Sequence, residues 1–253
     1  MARMKGLVLV PIAAVLFLMP VCAFAYYPLE AAFENPALLT AVSDDEMVYI
    51  SYVAGTESQL LAYMEYDAGV GGYGSLAVRK GGYVPGRFLN QSSDSAVGST
   101  IWSYIAAKEL GPIWLGLGVN QETREQSKLT FDIGAAINWK SFTVNFAVQR
   151  IGLGDRGGIV VGNTVSGVRL SPLNGLSLMI DMATAPNPLY RLSAAVERGQ
   201  LEARFYVMGE KDDPFDPGIE LGVRRDAIEA RIGYHVEQRN NRQLIGLSLS
   251  YSF

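Results

Sequence analysis

From Met47 to Phe253 apolar and polar residues change places at nearly every step. Phe142-Thr-Val-Asn-Phe-Ala-Val-Gln149 sets large apolar side chains at even positions and small or polar ones at odd positions. Leu201-Glu-Ala-Arg-Phe-Tyr-Val207, Ile219-Glu-Leu-Gly-Val-Arg224 and Ile228-Glu-Ala-Arg-Ile-Gly-Tyr234 obey the same rule. The last stretch places Ile245, Leu247, Leu249, Tyr251 and Phe253 against Gly246, Ser248, Ser250 and Ser252. Successive side chains of a strand point to opposite faces, so period 2 predicts strands with one apolar face. The 3.6-residue period of a helix has no convincing example in this range. Segmentation gives fourteen strands, at about 47–54, 58–68, 73–81, 100–110, 113–120, 128–139, 142–150, 162–170, 174–183, 188–197, 200–208, 217–224, 227–236 and 243–253.

The connections sort by length. Tight turns are expected at Gly69 to Gly72, Gly111-Pro112, Lys140-Ser141, Ser171 to Leu173, Arg198-Gly199 and Arg225-Asp226. Longer polar loops fall between them, at 82–99, 120–127, 151–161, 185–187, 209–216 and 237–242. Short and long alternate along the chain, as an up-and-down transmembrane β-barrel requires, with short periplasmic turns on one rim and longer loops on the other. A soluble sandwich has no need of loops sorted in this way. Aromatic residues add a second argument, because Trp139, Phe142, Tyr251 and Phe253 point outward beside the short-turn rim. Trp102, Tyr104, Tyr190 and Tyr234 point outward near the other end, giving the two interfacial belts of a bilayer protein. Lys108 points at lipid in this register and has to snorkel to the interface. The terminal Phe253, after alternating apolar residues, resembles the signal strand by which outer-membrane proteins are recognised by the barrel-assembly machinery.

Composition narrows the classes further. Of 253 residues, 49% are hydrophobic and 18% charged, so the chain is too apolar for disorder. One cysteine, Cys22, and one histidine, His235, exclude a disulfide framework and a multi-ligand zinc site. A net charge of −4 argues against a nucleic-acid face. No nucleotide, metal, haem or other cofactor is implied.

The first 25 residues read as a cleaved signal peptide. Arg3 and Lys5 form its positive start, Gly6 to Val21 its apolar run, and Ala23-Phe24-Ala25 its small-residue cleavage site. Pro11 and Pro20 weaken a membrane-anchor reading, and Met19-Pro20-Val21 lacks the small residue that precedes a lipidated cysteine. Cleavage removes two cations and no acid, which takes the charge from −4 to −6.

The inward positions are charged or small. They include Asp132, Asp181, Arg191, Glu197, Glu202, Arg204, Glu220, Arg224, Glu229 and Arg231, whose mixed signs suggest a salt-bridged lining. A two-residue turn at Arg225-Asp226 sets Glu220 opposite Arg231 as a cross-strand ion pair. Gly116, Gly118, Gly134, Ala136, Gly222, Gly233 and Gly246 leave space inside. The expected occupant is 26–46, which is apolar enough to need burial but does not alternate, with a turn or helix start at Asn35-Pro36. The chain thus divides into 1–25 signal peptide, 26–46 hatch segment and 47–253 barrel.

Asn35, Pro36 and Ala37, with Phe33 upstream and a fourteen-stranded barrel downstream, resemble the FadL-type family of outer-membrane transporters for hydrophobic compounds, which includes PorV- and PorQ-like proteins. The resemblance implies a hatch folded into the barrel and passive uptake of a hydrophobic small molecule. It also implies an alternative, a structural barrel that docks an exported partner. The outer-membrane bilayer is the expected surrounding in either case. No lipid-binding residues carry over, because the loops here are shorter than that family's.

An enzymatic reading has little to rest on. His235 lies near the long-loop rim with Ser95 and Ser99 as candidate neighbours, but no Gly-x-Ser-x-Gly or comparable motif accompanies them. Asp212, Asp213 and Asp216 lie among prolines that spoil calcium-loop spacing. The glycines from 152 to 162 do not join a strand to a helix, as a phosphate cradle would.

Overall fold

The computed structural model describes residues 29–42, 46–54, 56, 58–66, 72–81, 99–123, 127–154, 158–184, 187–210, 213–238 and 241–253. The expected signal peptide, Ser95, Asp212 and most of the 82–99 loop lie outside the described residues.

Two short 3-10 helices come first, Leu29–Phe33 and Pro36–Ala41. The strands are β1 (Met47–Ala54), β2 (Ser58–Tyr66), β3 (Tyr73–Lys80), β4 (Thr100–Leu110), β5 (Ile113–Thr123), β6 (Lys128–Trp139) and β7 (Phe142–Leu153). They continue with β8 (Ile159–Val160), β9 (Asn163–Leu173), β10 (Leu176–Ala183), β11 (Leu189–Arg198), β12 (Leu201–Glu210), β13 (Asp216–Arg225), β14 (Ile228–Glu237) and β15 (Arg242–Ser252). Each long strand pairs antiparallel with its neighbour in sequence, and β1 pairs with β15 to close the circle. Two-residue β8 forms a separate short ladder with the end of β7, and the remaining fourteen strands make the barrel. Closure leaves no unpaired edge, which is the condition for strands to span a membrane.

The alternation maps onto the wall as the sequence predicts. On β6, Leu129, Phe131, Ile133 and Ile137 are exposed while Thr130, Asp132 and Ala136 are buried. The exposed set makes an aliphatic outer surface, and the buried set faces the lumen. Trp139 and Phe142 pair across their turn with rings 6.5 Å apart, and Tyr251 meets Phe253 edge-on at 5.0 Å beside the same rim. Lys108 is exposed on the outer face, three residues ahead of the Gly111 turn and so close to that rim.

Three turns fall later than the sequence reading placed them. The loops are Asn174-Gly175, Gly199-Gln200 and Asp226-Ala227, since Leu173 pairs with Leu176, Arg198 with Leu201 and Arg225 with Ile228. The reason is backbone handedness. Gly111, Lys140, Gly199 and Asp226 all have positive φ and all open a two-residue loop, so the strand ends one residue before the left-handed position. At Asn174-Gly175 the second residue carries it, with φ 75°.

Candidate functional site

The interior is built from two unlike halves. Residues 29–42 run through the lumen almost wholly buried. Pro36–Ala41 packs chiefly on β4, β5 and β6. Leu29, Phe33, Leu39 and Val42 meet inward Leu60, Met64, Ile105 and other side chains of β1 to β4. Ala31, Ala37 and Leu38 meet Trp114, Ala136 and Met179.

Asn35, Pro36 and Ala37 form the closest fit. Asn35 caps the second helix, its Oδ1 accepting from the Ala37 amide at 3.0 Å. Its Nδ2 donates across to Ala135 O (3.4 Å), Phe146 O (3.2 Å) and Asn145 Oδ1 (3.3 Å). Pro36 occupies the first helical turn, where its missing amide leaves no bond unmade. The wall facing them is glycine. A Cβ on Gly116 would strike Pro36 and Ala37, and one on Gly134 would strike Asn35 Oδ1. Gly118 is looser, with Pro36 Cγ at 3.5 Å from such a Cβ.

Polar bonds hold the upstream side. Gln149 Nε2 donates to the Phe33 and Glu34 carbonyls at 3.2 and 2.7 Å. Tyr49 donates to Glu30. Arg191 grips Glu34 through Nη1–Oε1 and Nη2–Oε2, both 3.0 Å, and also donates to Asp181 Oδ2 from Nε at 3.0 Å. Both members of the Arg191–Glu34 pair are buried, so losing one would strand the other's charge. A narrow cleft remains beside this triad, lined by Ala31, Asn35, Val165, Met179 and Arg204 among others.

The other half, β12 to β14, is charged. Glu220, Arg204, Glu202, Arg231, Glu229 and Arg224 form a chain of alternating sign. Arg204 meets Glu220 at 3.4 Å and Glu202 at 3.2 Å, Arg231 meets Glu202 at 2.6 Å, and Arg224 meets Glu229 at 2.8 Å. The expected pairing of Glu220 with Arg231 is corrected by the later turn. Glu220 lies opposite Gly233, Arg231 opposite Gly222 and Arg224 opposite Glu229. Glu197 sits across from Glu202.

Asp132, expected to face inward, does so, but the bonds that hold it are not foreseen in the sequence. Arg150 has φ 55° and bulges β7, so its amide donates to Asp132 Oδ1 at 2.7 Å. Asn120 donates to Asp132 Oδ2 at 2.7 Å, and Ser103 donates to Asn120 at 2.6 Å. His235 is fully buried and stacks on Tyr206 at 5.7 Å, the two flanking Gly218 in one cross-strand row. Ser99 precedes β4, five strands away around the wall from β14.

No family model and no curated protein sequence matches the chain. Solved structures with a similar fold include the Acinetobacter baumannii outer membrane protein Omp33, with TM-score 0.57, 10% identity, and 83% of this chain covered against 97% of that one. They also include a variant of the Rhodopseudomonas blastica porin, with TM-score 0.50, 11% identity, and 83% and 99% covered. At such identities the likeness is one of architecture: the fold is a closed, antiparallel, fourteen-stranded barrel of the outer-membrane type.

Proposed function

We propose that the chain, freed of residues 1–25, spans a bacterial outer membrane as a porin-like barrel for passive uptake of small molecules, with 26–46 as its hatch. The cargo in this reading is hydrophobic, as in the FadL-type family. The observation that carries it is the apolar lining under the helical segment. Leu60, Met64, Ile105 and Trp114 face inward, and displacing 29–42 would leave them as one wall of an apolar chamber. An aqueous pore alone would not need such a lining. The barrel-assembly machinery is the expected route of insertion, through the strand that ends at Phe253.

A second reading, a barrel that docks an exported partner without transport, draws on how firmly the segment is held. A bidentate buried ion pair and the glycine seat both oppose displacement. Uptake of a labelled fatty acid by reconstituted vesicles separates the two. Arg191→Met removes the grip on Glu34 and is expected to speed uptake over wild type. If wild type, Arg191→Met and a chain lacking 29–42 all fail to pass solute from an intact barrel, the docking reading replaces transport.

A further inference from the structure

Arg79 on β3 points into the barrel and is only 8% exposed. Its guanidinium lies 5.6 Å from the centre of the Phe33 ring, a cation–π contact that covers one face. Among the described residues its Nε and Nη1 donors meet no acceptor. Acids stand near without serving it. Asp132 accepts instead from the Arg150 amide through Oδ1 and from Asn120 through Oδ2. Glu122 shares the cross-strand row of Arg79 but has Ile101 between them. A second cation, Arg150, whose amide holds Asp132, stands at the same end of the wall. A buried guanidinium with idle donors is costly, because it has lost water without gaining a partner.

We infer that Arg79, reinforced by the positive field of Arg150, binds an anionic oxygen group, carboxylate or phosphate, inside the long-loop end of the barrel above Phe33. Charge-assisted bonds to such a group would satisfy the two open donors at once. Asp132 and Glu122 oppose the ligand's charge and keep the site weak enough to release it. The inference goes beyond the transport reading and needs no flux, so it stands or falls separately.

Calorimetric titration of the full mature chain in non-ionic micelles, at constant ionic strength set with sodium chloride, tests it. Acetate and inorganic phosphate probe a free solute, and a short-chain phosphatidic acid probes a lipid headgroup. Saturable binding of one of these is expected, weakened about tenfold or more in Arg79→Gln. Glu122→Gln removes a competing charge while leaving Arg79 in place, and is expected to tighten binding by about threefold. That second variant decides the matter if Arg79→Gln does not fold. No saturable binding by any probe, or binding that neither substitution changes, overturns the site.

Discussion

Gly134 shows how one atom decides whether the lumen can be filled. The Asn35 side chain stands where a Cβ would go, with the Ala37 amide 2.9 Å and Pro36 Cδ 3.0 Å from that position. Gly134→Val therefore has to push the segment off its seat, at a cost of about 1–3 kcal/mol by overpacking. Gly246 supplies the control, since none of the described residues lies within 4 Å of a Cβ built there. Urea unfolding in lipid vesicles is expected to show a clear loss for Gly134→Val and little change for Gly246→Val. Equal effects would mean the seat contributes nothing. Gly116 and Gly134 could be picked out in the sequence as small inward positions, because alternation alone fixes their facing. The Arg150 bulge could not, since it depends on Asp132 capturing a backbone amide from the neighbouring strand. The Tyr206–Gly218–His235 row was equally hidden, because it assembles residues from three strands.

At the scale of elements, the strands were readable because one face must meet apolar surroundings and the other must not. β5 and β7 nevertheless run further than period 2 suggested, to Thr123 and Leu153, where pairing with β6 and β8 continues beyond the aliphatic band. Turn positions were harder. Asn174-Gly175 is the strongest short hairpin signal in the chain, yet the expected turn is set on Ser171-Pro172-Leu173, just ahead of it, whereas Leu173 still pairs with Leu176. At Asp226-Ala227 the same kind of error shifted every partner of β13 and β14 by two residues. Paired cysteines check the register. Oxidation is expected to bridge Arg224→Cys with Glu229→Cys readily and Glu220→Cys with Arg231→Cys far more slowly, because only the first pair is directly opposed. The reverse order, read from gel mobility, would restore the earlier register. Cys22 gives no background if it leaves with the leader.

For the whole molecule, the division of labour is between an outer face that belongs to lipid and an inner face split between an apolar half, covered by 29–42, and a half of linked charges. Alternation revealed the first of these faces and the polarity of the second. It was silent on which strands the leading segment would rest against, since a stretch that does not alternate carries no register. The central claim is the facing of the wall, and spin labels read it directly. Single cysteines at 143, 144, 145 and 146, labelled in reconstituted bilayers, are compared for relaxation by oxygen, which concentrates in lipid, and by a water-soluble nickel complex. Labels at Val144 and Phe146 are expected to respond to oxygen over nickel, and labels at Thr143 and Asn145 to show no such preference, a period of two through β7. Strong nickel relaxation at Val144 and Phe146 would contradict the account.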